Sequence, residues 1–211
     1  MRTTFGPALD DVGARLAAAD VRPLTLTAAG WVAGVGACVA VATGYWHAAL
    51  ALWLGNRLLD GLDGAVARVL GPTDRGGFLD IVADFSVYAG FVVGVAVAVP
   101  SARLACVALL TAYYVSGTAL LALSSLLERR RARFGDERSL RFVGGLAEGT
   151  ETVVVYVLLT LVPAHAEAIV WSFTAAVAVT AVQRVAFGLK ALGGPTQVTE
   201  VVGRAVPTYA D

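Results

Sequence analysis

The stretches DGLDGAVAR at residues 60–68 and GGFLDIVAD at residues 76–84 bring four aspartates into an otherwise apolar chain. These aspartates are Asp60, Asp63, Asp80 and Asp84. Carboxylates within a membrane-spanning helix are costly unless cations or polar groups compensate them. We therefore expect the two stretches to form the functional site of a helical membrane protein.

Helical spacing places the four acids on two facing stripes. At about 100° of rotation per residue, one arc of the first helix holds Asp60, Asp63, Gly64 and Ala67, with Arg68 at its edge. One stripe of the second helix holds Gly76, Asp80 and Asp84. The short connection at 71–75 predicts antiparallel neighbours, so the acids should converge. Hard oxygen ligands of this kind suit Mg²⁺ or Mn²⁺.

A simpler interpretation is that these acids are solvated at helix ends or paired with Arg57, Arg68 and Arg75. That interpretation is adequate for any single aspartate. It does not account for four acids interleaved with small residues, which would let a bulky diphosphate approach the backbone. The pattern therefore favours a cation and phosphate site.

Composition agrees with a membrane protein. Hydrophobic residues make up 57% of the chain, charged residues make up 15%, and the mean hydropathy is +0.72. The net charge of zero gives no general electrostatic footprint for nucleic acid, so we expect no nucleic-acid partner.

The apolar runs predict an all-α integral membrane protein, a bundle of six transmembrane helices preceded by an N-terminal interfacial amphipathic helix. The interfacial helix is expected at about 7–19. We expect a membrane domain at 1–192 and a cytoplasmic C-terminal tail at 193–211. The predicted spans are 24–44, 47–70, 76–99, 102–126, 143–163 and 166–190.

Basic residues predict the orientation. With the amino terminus in the cytoplasm, the arginine cluster at 129–141 falls inside, and the outer loops receive only Arg103. Both termini and the acidic site should then face the cytoplasm, in a bacterial-type inner (cytoplasmic) membrane. Tyr45, Trp46, Trp53 and Trp171 lie near the outer ends of spans and are expected to anchor them at the interface.

The acidic frame resembles the signature of the CDP-alcohol phosphatidyltransferases, D-x-x-D-G-x-x-A-R, a spacer, then G-x-x-x-D-x-x-x-D. Its fixed positions are matched by Asp60, Asp63, Gly64, Ala67, Arg68, Gly76, Asp80 and Asp84. The spacer has seven residues where the common form has eight. Upstream, Arg22-Pro-Leu-Thr-Leu-Thr27 stands where many members have T-P-N-x-L-T, so Leu24 replaces the asparagine.

The resemblance implies transfer of a phosphatidyl group from a CDP-linked lipid, such as CDP-diacylglycerol, to an acceptor alcohol, with release of CMP. It implies two Mg²⁺ or Mn²⁺ ions held by Asp60, Asp63, Asp80 and Asp84, with Asp84 also the general base. Asp63, Gly64, Ala67, Arg68 and Gly76 would bind the nucleotide and diphosphate. Family members also suggest a homodimer.

The acceptor alcohol is not specified by any decisive pattern. The candidates for acceptor binding are Arg133, Arg141, Glu148 and Arg184. Residues 144–152, GGLAEGTET, resemble a stretch in a bacterial branch of the same superfamily, although Glu148 and Glu151 could simply neutralise Arg141 and Arg184. Asn56 and Arg57, about one turn before Asp60, either support the carboxylates or are placed there by helix packing.

Two other functions remain open. A prenyl-diphosphate transferase also binds diphosphate through aspartates and Mg²⁺, but its usual D-D-x-x-D or N-D-x-x-D pattern does not occur here. A membrane ion transporter could also carry buried acids, yet no inverted repeat is visible. Cys38 and Cys106 lack metal-ligand spacing and are expected to be packing residues.

Overall fold

The protein is described by a computed structural model that covers residues 6–134 and 149–193. All elements in these two segments are helical. The α-helices are α1 Gly6–Ala18, α2 Pro23–Ala42, α3 Trp46–Leu70, α4 Asp74–Ala98, α5 Arg103–Phe134, α6 Gly149–Leu161 and α7 Ala166–Leu192. Single 3₁₀ turns at Pro100–Ala102 and Pro163–His165 precede α5 and α7.

Four helical segments are long and apolar enough to cross a membrane, by length and composition. They are Pro23–Ala42, Asp74–Ala98, Pro100–Arg129 and Pro163–Leu192. The integral membrane class is therefore confirmed, while crossing by α3 and α6 stays a prediction. Helix α3 is long enough but carries the charged motif, and α6 is described only from Gly149.

Most predicted helix limits agree with the structure to within a few residues. Helix α5 is the exception, because it continues to Phe134, past the predicted end at 126. Arginine, glutamate and leucine are good helix formers, so the charged run extends the helix instead of ending it. Helix α1 lies close to the predicted 7–19, and its placement along a membrane surface stays a prediction.

Helix α2 packs against both α3 and α4 and fixes their positions. Its glycines allow this, since a Cβ on Gly34 would lie 2.6 Å from a Val87 methyl of α4. On the other side, a Cβ on Gly94 of α4 would lie 2.7 Å from the Cys38 carbonyl oxygen. The backbones of α3 and α4 hardly approach each other, so these helices meet mainly through long side chains.

An aromatic cluster fills the part of the core next to the acidic region. Phe91 and Tyr156 stack with ring centroids 4.3 Å apart, and Trp53 lies 4.9 Å from Tyr156. Trp53 is completely buried, so its predicted role as an interfacial anchor is wrong. Tyr45 and Trp171 are exposed, as anchors must be. Cys106 is buried and Cys38 half-buried, both as free thiols, which agrees with a packing role.

Candidate active site

The four predicted aspartates face one another across α3 and α4. Asp63 is buried, and Asp60, Asp80 and Asp84 are half-buried. Every pair among the four is close enough for direct Coulombic repulsion, and Asp60 and Asp80 are immediate neighbours. The structure therefore brings together the acids that are separated in sequence.

Arg57 supplies the positive charge nearest to these acids. Its Nη2 donates to Asp84 Oδ1 at 2.6 Å, and its Nη1 lies 3.5 Å from Asp60 Oδ2. The first contact joins α3 to α4, and the second stays within α3. The simpler interpretation, pairing with arginine, thus holds for Asp60 and Asp84. Arg57 therefore contacts two of the carboxylates directly.

Asp63 is fixed from the opposite side by α2. Thr27 Oγ1 donates its one proton to Asp63 Oδ2 at 2.6 Å, while the carbonyl oxygen of Pro23, at 3.1 Å, is the alternative acceptor. Thr27 was not among the predicted site residues. The sequence did contain an indication of its role, because Thr27 is the last residue of the Arg22–Thr27 stretch that resembles the upstream family pattern.

A cavity of about 410 Å³ opens beside Asp63 and Asp80. Helix α2 contributes Pro23, Leu24 and Thr27 to its wall, and the connection before α4 contributes Pro72 and Thr73. The same cavity is lined by the predicted nucleotide-binding residues Asp63, Gly64, Ala67 and Gly76, and by Arg22 and Arg75. We call this space the α2–α4 cavity.

The small residues at the α2–α4 cavity leave the helix backbone accessible. A Cβ on Gly64 would have only Arg68 Nη1 nearby, at 3.5 Å. At the start of α4, the Gly76 N–H donates a hydrogen bond of 3.1 Å to the hydroxyl of the N-cap residue Thr73. Helix N-termini favour anions, so a phosphate group would be well placed here.

Arg68 forms an ion pair with α1. Its Nη2 lies 2.7 Å from Asp10 Oδ1 of α1, and more than half of each side chain is exposed. The side chain therefore points toward α1, and it does not line the α2–α4 cavity. Since exposed ion pairs contribute little free energy, this one can exchange for a phosphate at small cost.

The donor set fits a divalent cation by its chemistry, because all four groups are hard carboxylate oxygens. Asp63 and Asp80 line the same cavity. Within residues 6–134 and 149–193, however, no group of three or more acidic, histidine or cysteine side chains is arranged to hold a metal ion. One of the four, Asp84, has an oxygen 2.6 Å from Arg57 Nη2.

A second cavity, of about 480 Å³, lies on the other side of α4. Its wall is mainly apolar and includes Phe85, Tyr88 and Val177. Arg184 also lines it and donates through Nη1 to Ser116 Oγ at 2.8 Å. Tyr88 links the two regions, because its hydroxyl accepts a hydrogen bond from Arg57 Nη1 at 2.9 Å. We call this space the α4–α7 cavity.

Other predicted acceptor residues lie outside what the structure describes. Arg141 and Glu148 fall in the undescribed segment 135–148, and the side chain of Arg133 is likewise not described. Glu151, at the start of α6, is exposed. Of the four acceptor candidates, only Arg184 therefore has a described position, beside the α4–α7 cavity.

Comparison with known proteins decides the family. A family model for CDP-alcohol phosphatidyltransferase matches residues 21–183. The chain belongs to the CDP-alcohol phosphatidyltransferase family. The matched range contains the acids, Arg57 and the α2–α4 cavity, and it confirms the enzyme class predicted from the aspartate motif.

Two relatives extend this result. The inner membrane protein YnjF of Escherichia coli (strain K12) is 43% identical over 147 residues, which cover 68% of this chain and 71% of YnjF. A crystal structure of Mycobacterium tuberculosis phosphatidylinositol phosphate synthase (PgsA1) with CDP-DAG bound superposes with a TM-score of 0.67. That match covers 86% of this chain and 93% of PgsA1 at 24% identity, so it supports the shared fold.

Proposed function

We propose that this CDP-alcohol phosphatidyltransferase transfers a phosphatidyl group from a CDP-linked lipid, such as CDP-diacylglycerol, to an acceptor alcohol and releases CMP. The observation that carries the proposal is the α2–α4 cavity, where Asp63, Asp80, Gly64 and Gly76 of the signature share one wall. The CDP-DAG bound by the structural relative PgsA1 supports the choice of donor.

The chemistry we propose begins with the acceptor hydroxyl. Asp84 takes its proton, the acceptor oxygen forms a bond to the phosphorus that carries the lipid, and the bond from this phosphorus to CMP breaks. Gly64, Ala67 and Gly76 let the diphosphate lie close to the helix backbone. Arg68 would release Asp10 and turn to the phosphates.

Two Mg²⁺ or Mn²⁺ ions fit the donor chemistry of Asp60, Asp63, Asp80 and Asp84. When bound, such ions neutralise charge on the diphosphate oxygens and stabilise CMP as it leaves. The protein holds its four acids on two helices that α2 positions. Thr27 orients Asp63 by its hydrogen bond.

The acceptor would enter from the side of the α4–α7 cavity. Arg184, with Arg133, Arg141 and Glu148, remains our proposal for acceptor binding. Arg184 lines the same cavity as Tyr88, which contacts Arg57, and this supports a role near the acids. Acyl tails of the donor would stay between the helices and the membrane lipids.

We also propose that the enzyme lies in the inner membrane as a homodimer with its active site toward the cytoplasm. The name of the relative YnjF supports the inner membrane. The asymmetry of basic residues supports the orientation. A cytoplasmic site would release CMP directly into the compartment where nucleotides are reused.

A lipid-product assay tests this function. Purified protein receives labelled CDP-diacylglycerol with a panel of acceptor alcohols, and mass spectrometry identifies the lipid product. We expect stoichiometric CMP, one dominant product, complete loss of turnover in EDTA and recovery with Mg²⁺ or Mn²⁺. Incubations without acceptor are the control for hydrolysis.

Different products would contradict the proposal. Release of inorganic diphosphate would indicate a prenyl transferase, and metal-dependent uptake into sealed vesicles without CMP would indicate a transporter. Full turnover in EDTA would remove the role of the cations while leaving phosphatidyl transfer in place.

A further inference from the structure

Arg57 is not part of the family signature, yet it has more polar contacts than any other described side chain at the acids. Its Nε donates to Asn56 Oδ1 at 2.8 Å, its Nη1 to Tyr88 and its Nη2 to Asp84. Only 12% of the side chain is exposed. A guanidinium held by three different partners has a fixed direction.

Aromatic rings hold the same guanidinium from its faces. The Arg57 Cζ lies 4.9 Å from the Trp53 ring centroid and 5.1 Å from that of Tyr88. Its neighbour Asn56 is buried and donates to the Gly30 carbonyl oxygen of α2 at 2.8 Å. Arg57 therefore contacts α3 and α4 directly and is linked to α2 through Asn56, which keeps its charge beside the acids.

This arginine divides the acids into two pairs. Asp63 and Asp80 line the α2–α4 cavity, whereas Asp60 and Asp84 do not line it and contact Arg57 instead. A divalent cation that uses Asp60 or Asp84 must share these carboxylates with a charge that is already in place. Charges a few ångströms apart at a partly buried site interact strongly.

We propose that Arg57 is a built-in counter-ion that competes with divalent cations for Asp60 and Asp84 and holds Asp84 in position for the acceptor. The inference rests on the proposed function. It assigns two separable properties to Arg57. Its charge weakens cation binding at these two acids, and its forked geometry positions Asp84.

Titration of Mn²⁺ measures the first property without any turnover. Free Mn²⁺ is followed by electron paramagnetic resonance in purified wild-type protein and in Arg57→Gln. Loss of a positive charge beside two carboxylates should tighten Mn²⁺ binding about tenfold or more. Arg103→Gln is the matched control, because Arg103 bonds to the Ala96 carbonyl at the other end of α4 and should leave the affinity unchanged.

Arg57→Lys separates charge from geometry. Lysine keeps the positive charge but cannot contact Tyr88 and Asp84 as a fork. We expect Mn²⁺ affinity within about threefold of wild type, together with at least a tenfold fall in kcat for CMP release. If Arg57→Gln does not fold, this split between affinity and kcat still tests the proposal.

The outcomes are distinct. Unchanged or weaker Mn²⁺ binding in Arg57→Gln, or the same affinity change in both variants, overturns the counter-ion role. Normal kcat in Arg57→Lys overturns the positioning role. If wild type binds Mn²⁺ and Arg57→Gln binds it more tightly, but no acceptor yields CMP, the proposed function fails and the counter-ion role stands.

Discussion

At the scale of single residues, Asp84 is the acid that we propose as the general base. One of its oxygens accepts a hydrogen bond from Arg57, and the residue lies outside the wall of the α2–α4 cavity. We expect Asp84→Asn to lower kcat for CMP release by about 10²-fold or more, since a positioned general base contributes on that order. Initial rates of CMP release with saturating donor measure this.

Asp74→Asn is the matched control, because Asp74 is an exposed acid in the first turn of the same helix. Loss of its charge should leave kcat within about twofold of the wild-type value, because a helix-end charge contributes only about a few tenths of a kcal/mol. Equal activity of Asp84→Asn and wild type would exclude Asp84 as the base.

The residue scale also marks the limit of sequence reasoning. The spacing of the aspartates was sufficient to predict that they converge, because helical periodicity fixes which residues share a face. Pairing with Arg57 was one alternative at that stage, but which acid would be its partner was not predictable, because the Arg57–Asp84 contact depends on how far α3 is rotated relative to α4. The prediction that Trp53 anchors α3 at the membrane interface was wrong for the same reason. Its position along α3 was known, but the direction in which its side chain faces was not.

At the scale of helices, the acids depend on how closely α2 approaches its neighbours. A Cβ on Gly34 would lie 2.6 Å from Val87 and 3.0 Å from the Asn56 side-chain nitrogen. We expect Gly34→Ala to destabilise the protein by about 1–3 kcal/mol through overpacking, despite alanine's better helix propensity. Thermal unfolding in detergent, followed by fluorescence, gives the change in Tm.

Gly55 of α3 provides the control for that experiment. Apart from its chain neighbours and the nearby backbone of α3, no described atom lies within 4 Å of a Cβ built there. Gly55→Ala should therefore keep Tm or raise it, because alanine stabilises a helix by up to about 1 kcal/mol relative to glycine. If both variants shift Tm in the same direction, close approach at Gly34 does not control stability.

The helices themselves were largely predictable and their packing was not. Apolar runs and the breaks at Gly71, Pro72, Pro100 and Pro163 gave most limits to within a few residues. Antiparallel α3 and α4 were expected to lie side by side, and Arg57–Asp84 and Trp53–Tyr88 contacts agree with antiparallel helices. Helix α2 contacts α3 and α4 more extensively than α3 and α4 contact each other. This packing depends on glycines whose partners lie far away in sequence, so the sequence alone did not predict it.

At the scale of the whole molecule, the connections at the two ends of α4 should lie on opposite sides of the membrane. Helix α4 has 25 residues, about 37 Å at 1.5 Å per residue, which is enough to span the hydrocarbon layer. Pro72, before α4, and Ser101, after it, are both exposed. The acids lie nearer the Pro72 end. The side on which Pro72 is reached therefore decides whether the acidic site faces the cytoplasm.

Labelling with a membrane-impermeant maleimide tests this topology in right-side-out vesicles. We expect Ser101→Cys to react in intact vesicles and Pro72→Cys to react only after permeabilisation, because the basic residues favour the acidic end inside. The parent chain, with buried Cys106 and half-buried Cys38, sets the background labelling. The reverse pattern would place the site outside, where CMP could not return directly to the cytoplasm. Labelling of both variants in intact vesicles would contradict a membrane-spanning α4.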